Sequence, residues 1–164
     1  MVGQRMKVVA VAVAVLVTVF GACTRQVSTS PPVVGNSKAP VNAGNVTGAA
    51  TSRGAIESFM TSVKASDLQG MSGVWGTNRG AARDLMKRDE LEKRLVVMQC
   101  LLMHDKWRFL EDAPRLQTAG HQQFLVELTR KSSVAKTTFN TVPGPGGRWF
   151  LDDVDVTPLR DFCR

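Results

Sequence analysis

Apolar and polar positions form their most regular pattern in the carboxyl-terminal third of the chain, Lys106–Val156. Phe124, Val126 and Leu128 take alternate positions, and tight polar or glycine-rich breaks separate this run from its neighbours. Short runs at such regular spacing are typical of antiparallel hairpins. Pro114 has no N–H for a sheet hydrogen bond, so the first strand is expected to be divided there. The pattern predicts four antiparallel strands, within Trp107–Thr118, Phe124–Thr129, Val134–Val142 and Trp149–Val156.

The last of these strands is predicted to contain a β-bulge. Trp149 and Leu151 fall on one face of an ideal strand, whereas Val154 and Val156 fall on the other. One extra residue at Asp152-Asp153 would turn all four apolar side chains to the same face. We therefore expect the strand to cover the core along its whole length.

A helical periodicity precedes the sheet. Ile56, Phe59, Met60 and Val63 lie at i, i+3, i+4 and i+7, the spacing of one face of an amphipathic helix. Ser52 stands ahead of this stripe and is the expected N-cap. The first helix should therefore bury this face against the sheet.

Two more helices are expected before the first strand. Asp67 can cap a short one, and a loop over Gly76–Gly80 separates it from a third helix over Ala81–Met103. The second half of the third helix, Leu95–Met103, is apolar nearly all round, and such a helix is buried on every side. We expect it to lie between the sheet and another element. The fold class is thus α+β, with three helices packed on a four-stranded antiparallel sheet.

The amino terminus has the composition of an export signal. Arg5 and Lys7 precede the apolar run Val8–Phe20, and two small residues then lead to Cys23. A charged start, a short apolar run and a small-residue cleavage site define a secretory signal. The run is shorter than the ~20 residues of a membrane-spanning helix.

The segment Val19–Cys23 resembles the bacterial lipoprotein signal, although Phe20 stands where a small aliphatic residue is usual. The resemblance implies that residues 1–22 are removed and that Cys23 carries a lipid, which anchors the exported protein to a bacterial membrane. In such lipoproteins an aspartate directly after the cysteine is associated with retention in the inner membrane. Thr24 takes that position here, which implies that the protein is anchored on the periplasmic side of the outer membrane if the cell has two membranes. An ordinary signal peptide and an uncleaved anchor are the alternatives.

The residues after Cys23 are predicted to form a tether, over 23–50. Thr24–Ala50 contains no acidic and no aromatic residue and is interrupted by proline and glycine. Such a segment cannot bury enough apolar surface to offset chain entropy, and as a flexible chain it reaches roughly 30 Å. A stretch that folds on a partner is the alternative. A single domain, over 51–164, follows the tether.

Charge excludes one class of partner. The chain has a formal net charge of +7, and the 17 basic and 14 acidic residues of the domain leave 17 − 14 = +3. Acidic residues lie between the basic ones along the sequence, and no basic stripe with interleaved aromatic residues is present. No nucleic-acid partner is therefore expected.

The order of elements resembles the nuclear-transport-factor-two-like, ketosteroid-isomerase-like superfamily over residues 53–156. Lys64–Leu68, Val74-Trp75 and Gly147–Leu151 carry the resemblance. It implies a cone-like domain, in which a curved sheet wraps over the helices around a pocket open at one end. Ketosteroid-isomerase-like enzymes use a tyrosine as an oxyanion donor. This chain has no tyrosine, which argues against isomerase chemistry.

Two sets of residues are candidates for a pocket and for a covalent link. Apart from Cys23, the chain has two cysteines, Cys100 and Cys163. Disulfides persist in exported domains, so we predict a bond between these two residues. Two separate buried thiols are the alternative. Six aromatic residues are expected to pack in the core, with the wall of a pocket as their alternative role: Phe59, Trp75, Trp107, Phe109, Phe124 and Trp149.

Residues for catalysis or metal binding are sparse. His104 and Asp105 are expected in a surface loop. The alternative is an enzyme site in which His104 acts as general acid or base with Asp105 nearby, although successive residues of an extended chain point apart. His121 is expected in a solvated hairpin turn. Two histidines without a third ligand do not make a metal site, so neither metal nor cofactor is expected. Three aspartates are expected at a solvated edge, paired with Arg148 or Arg160: Asp152, Asp153 and Asp155.

Three functions remain open. The leading hypothesis is a non-catalytic, lipid-anchored domain that binds a small apolar ligand or an envelope protein. The second is an isomerase-like or hydrolase-like enzyme that uses His104, Asp105 or Glu111, which a polar group of perturbed pKa in a deep pocket would favour. The third is a module for anionic lipid or polymer, whose binding salt would weaken.

Overall fold

The structure, a computed structural model, describes residues 46–164. The expected signal peptide, Cys23 and most of the expected tether lie outside the described residues. Over 46–164 the chain is α+β, with helices packed on an antiparallel sheet. The elements are α1 (Ser52–Ala65), α2 (Leu68–Val74), β1 (Gly76–Thr77), β2 (Gly80–Ala81), α3 (Ala82–Leu85), α4 (Arg88–Leu102), β3 (Lys106–Phe109), β4 (Arg115–Leu116), β5 (Gln122–Arg130), β6 (Ser133–Pro143), β7 (Trp149–Val154) and 3₁₀ segments at Thr118–Gly120, Pro145–Gly147 and Thr157–Cys163.

The main sheet has the strand order β3-β5-β6-β7, and β4 pairs with β5 beside β3. The first predicted strand is thus divided, which makes five strands in this sheet instead of four. The bulge in β7 is confirmed, because Asn140 pairs with Asp153 while Thr141 pairs with Leu151. The pairing skips Asp152, and both Leu151 and Val154 therefore reach the core.

The first two helices begin where side chains satisfy their free N–H groups. The N-cap of α1 is Thr51, one residue before the predicted Ser52, and its hydroxyl accepts a hydrogen bond from Gly54 N at 3.0 Å. Asp67 caps α2 as predicted, accepting from Gly70 N at 2.9 Å. The predicted apolar stripe of α1 is fully buried: Ile56, Phe59, Met60 and Val63.

The predicted third helix is two helices, because the backbone at Met86 and Lys87 is extended between α3 and α4. The loop expected before it contains the short hairpin β1–β2. The expectation that the end of α4 is buried on every side is wrong, since Val96 and Val97 are 51% and 57% exposed. The helix packs on α2 and on the last 3₁₀ segment, and these neighbours leave one face of it to solvent.

The ordered domain begins before Thr51. Ala49, inside the expected tether, forms an antiparallel bridge with Trp149. Arg148 donates from Nε to the carbonyl of Thr47 and from Nη2 to that of Gly48, both at 2.8 Å. The end of the expected tether thus covers part of the edge of β7, where unpaired backbone groups would otherwise face solvent.

Candidate functional site

Buried side chains fill the space between the helices and the sheet. Phe59 and Phe124, candidates for a pocket wall, are 0% and 2% exposed and belong to the core. The other four candidates, Trp75, Trp107, Phe109 and Trp149, are half-buried and pack against it. Trp107 and Phe109 meet edge to face, with ring centroids 5.1 Å apart. Grooves at the surface offer room for a ligand, and two of them include one of these tryptophans.

The predicted disulfide joins α4 to the tail of the chain. The Cα atoms of Cys100 and Cys163 lie 5.1 Å apart and the sulfur atoms are bonded. Arg130 of β5 donates to the carbonyl of Cys100 at 3.1 Å and also to the carbonyl of Phe162. The bond and this arginine together hold the last 3₁₀ segment against the domain.

The first groove lies where the end of α1 meets the turn between α4 and β3, and its volume is about 350 Å³. His104 is in this turn and is only 4% exposed, so the expectation that it is a surface-loop residue is wrong. Its Nδ1 lies 2.9 Å from the carbonyl oxygen of Leu102. Burial lowers the pKa of His104, because an apolar surrounding disfavours the charged imidazole.

Asp105 does not form a pair with His104. One carboxylate oxygen of Asp105 accepts a hydrogen bond from the backbone N–H of Lys131 at 2.7 Å, on the hairpin turn between β5 and β6. The side chains of His104 and Asp105 therefore have separate partners, as expected. Lys64 of α1 donates to the backbone carbonyl of Asp105 at 3.2 Å, which brings an ammonium group to the same groove.

The second groove runs along the exposed face of α4 and has a volume of about 430 Å³. The ring of Trp75 and the side chains of Val97 and Met98 make it mainly apolar, and Lys93 and Arg94 line it as well. Arg94 is paired with Glu90 at 2.7 Å. The all-round apolar end of the helix is the sequence signal for this groove, since two of its residues, Val97 and Met98, line it.

Two of the three aspartates near the end of β7 have partners other than the expected arginines. Asp152 lies 3.5 Å from Nδ1 of His121, and burial raises the pKa of its carboxyl group. Asp155 accepts from the backbone N–H of Thr157 at 3.0 Å. Within residues 46–164, no group of three or more His, Cys, Asp or Glu side chains is placed to hold a metal ion.

No protein-family profile matches the chain, and a comparison with curated proteins finds no match either. In the part of the chain that the structure describes, no helix is long and apolar enough to cross a membrane.

Proposed function

We propose that this chain is a lipid-anchored protein of the bacterial cell envelope, whose domain is nuclear-transport-factor-two-like and binds an anionic amphiphile without transforming it. The superfamily assignment is supported by the order of elements: two helices, a further helical segment, then an antiparallel meander. The bulge at Asp152 supports a curved, cone-like sheet, because a β-bulge bends its strand.

The groove on α4 carries the binding proposal. Its apolar wall of Trp75, Val97 and Met98 suits an acyl chain, and the ammonium group of Lys93 suits a carboxylate or phosphate head. Lys93 has no ion pair with the described residues, so its charge is available to a ligand. The volume of about 430 Å³ lies in the range of roughly 300–1,000 Å³ usual for ligand pockets.

Binding is favoured over catalysis by the surroundings of His104. Its neighbour Asp105 is engaged with Lys131, and the chain has no tyrosine to serve as an oxyanion donor. The enzyme alternative keeps one supporting observation, the buried His104 beside an open groove, with its pKa lowered by burial. A folded His104→Phe variant that lost cellular function, while variants in the α4 groove kept it, would favour the enzyme.

The anchor and the groove need separate tests. Cys23→Ala should leave an unprocessed or soluble form that no longer partitions into detergent, and a variant that still partitions like wild type would contradict the lipid anchor. For the groove, laurate binding followed by tryptophan fluorescence should weaken about tenfold in Val97→Asp and in Lys93→Glu. Val134→Asp is the matched control, because Val134 is 60% exposed on β6, outside the groove.

The same variants distinguish a free amphiphile from a membrane. Laurate binding that Val97→Asp weakens and Val134→Asp preserves supports the proposal. Salt-sensitive binding to phosphatidylglycerol vesicles without laurate binding would support the module for anionic lipid instead. Absence of both would leave the α4 groove without a ligand role and contradict the proposal.

A further inference from the structure

The groove beside His104 combines a buried polar group with an apolar floor. Met60, which is fully buried, lies at its base, and the half-buried Trp107 lies on one side. Thr61 and Lys64 line it from α1. These residues come from two parts of the chain that only the tertiary structure brings together.

The hydrogen bond to Leu102 determines which nitrogen of His104 is left as an acceptor. A carbonyl oxygen only accepts, so the nitrogen 2.9 Å from it, Nδ1, carries the hydrogen. In a neutral imidazole the other nitrogen, Nε2, then has a free lone pair. Among the described residues, Nε2 of His104 has no hydrogen-bond partner. Every fully buried side-chain nitrogen of these residues does have one, so Nε2 must be accessible to solvent.

Lys64 supplies the complementary group. Its ammonium has three N–H donors, of which one is used by the carbonyl of Asp105 at 3.2 Å. It forms no ion pair with a carboxylate among the described residues. The groove therefore presents one unused acceptor, one unpaired cation and an aromatic wall, within about 350 Å³.

We propose that this groove binds a small planar carboxylic acid that also carries a hydroxyl group. The hydroxyl donates to Nε2 of His104, the carboxylate pairs with Lys64, and the ring lies against Trp107. This site is separate from the α4 groove, and neither proposal depends on the other, because the two grooves share no lining residue.

The test uses the full mature chain and the probes 3-hydroxybenzoate and 4-hydroxybenzoate. Wild type should bind at least one of them, with a shift of the His104 ring signals in NMR spectra. Benzoate, which lacks the hydroxyl, and the hydroxybenzamides, which lack the charge, should each bind about tenfold more weakly than that acid, as expected for the loss of one polar contact.

Two variants assign each contact. His104→Phe should abolish the preference for the hydroxybenzoate over benzoate, and Lys64→Met should abolish the preference for the acid over the amide. Lys136→Met is the matched control, because Lys136 is an exposed lysine on β6 that does not line the groove, and it should bind like wild type. Thermal unfolding verifies that each variant is folded.

Three outcomes overturn the proposal. The first is no shift of the His104 signals at millimolar concentrations of either probe. The second is equal weakening by Lys64→Met and Lys136→Met, which would show a general charge effect. The third is an unchanged preference for the hydroxyl in a folded His104→Phe. If His104→Phe does not fold, the Lys64→Met variant still tests the proposal, because Lys64 is exposed. Loss of the preference for the acid over the amide in this variant supports the site, and an unchanged preference contradicts the site.

Discussion

The carboxylate of Asp105 accepts a hydrogen bond from the backbone N–H of Lys131 at 2.7 Å. Lys131 has a φ of +53°, in the left-handed region, at the turn that joins the two longest strands. A non-glycine residue is strained there, and a bond to its N–H helps to hold the turn. The aspartate next to His104 therefore has a structural role in holding the turn between β5 and β6.

Asp105→Ala should destabilise the domain by roughly 1 kcal/mol, the usual value of one hydrogen bond, whereas Asp105→Asn keeps an acceptor and should cost less. Urea denaturation of both variants measures the difference. Asp153→Ala is a control for loss of an exposed negative charge. Equal losses for the alanine and asparagine variants of Asp105 would show that the acceptor does not matter.

Stability should fall as the pH drops below 6.5, the ordinary pKa of histidine and hence that of His104 in the unfolded chain. Burial holds the pKa of His104 in the folded protein below that value. Between the two pKa values the unfolded state binds the extra proton, so the stability present above pH 6.5 is lost down to the folded-state pKa.

Urea midpoints measured on both sides of pH 6.5 test this dependence. His104→Gln should flatten the profile in that range, since it removes the contribution of the buried imidazole at position 104. His121→Gln, which removes the half-exposed histidine beside Asp152, should retain the contribution of His104. An identical pH profile for wild type and His104→Gln would contradict the role of burial.

Loss of the disulfide should destabilise the domain. Cys100 and Cys163 are 63 residues apart, and closing a loop of that length contributes about 4 kcal/mol in the chain-entropy model. Denaturation with and without reductant gives the value, and the double variant Cys100→Ala with Cys163→Ala should be insensitive to reductant. A non-reduced digest without the linked peptides would contradict the bond itself.

Phe150→Ala should destabilise the domain more than Trp149→Ala. Phe150 is fully buried, and its removal should cost roughly 3–5 kcal/mol, whereas Trp149 is half-buried and should cost less. Denaturation of the two variants gives the order. Gly144→Ala should also destabilise, because its Cβ would lie 2.7 Å from the Phe150 ring. A larger loss for Trp149→Ala would contradict the burial of these neighbours.

Arg148→Ala should release the segment that precedes α1. Arg148 holds the carbonyls of Thr47 and Gly48, and without these bonds the segment should lose its protection. Hydrogen exchange at Ala49, whose N–H bonds to the carbonyl of Trp149 at 2.8 Å, should become faster while exchange in β5 stays unchanged. Arg148→Lys, which cannot form both bonds in the same geometry, should give an intermediate rate. Unchanged exchange at Ala49 in Arg148→Ala would show that other contacts hold the segment.

The sequence by itself determined the elements whose pattern is local. The apolar stripe of α1, the cap at Asp67 and the alternation in β5 depend on residues within a few positions of one another, and the structure contains each of them. The parity change in β7 likewise predicted the bulge at Asp152, because strand residues alternate between two faces.

Only the tertiary structure decided what is buried and which distant residues meet. Val96 and Val97 have the pattern of core residues, yet they are exposed because no other described element covers that face of α4. His104 is 4% exposed although it lies in the turn between α4 and β3, and Arg148 binds residues 101 and 100 positions away. Such contacts depend on how the elements pack, which no local spacing of residues encodes.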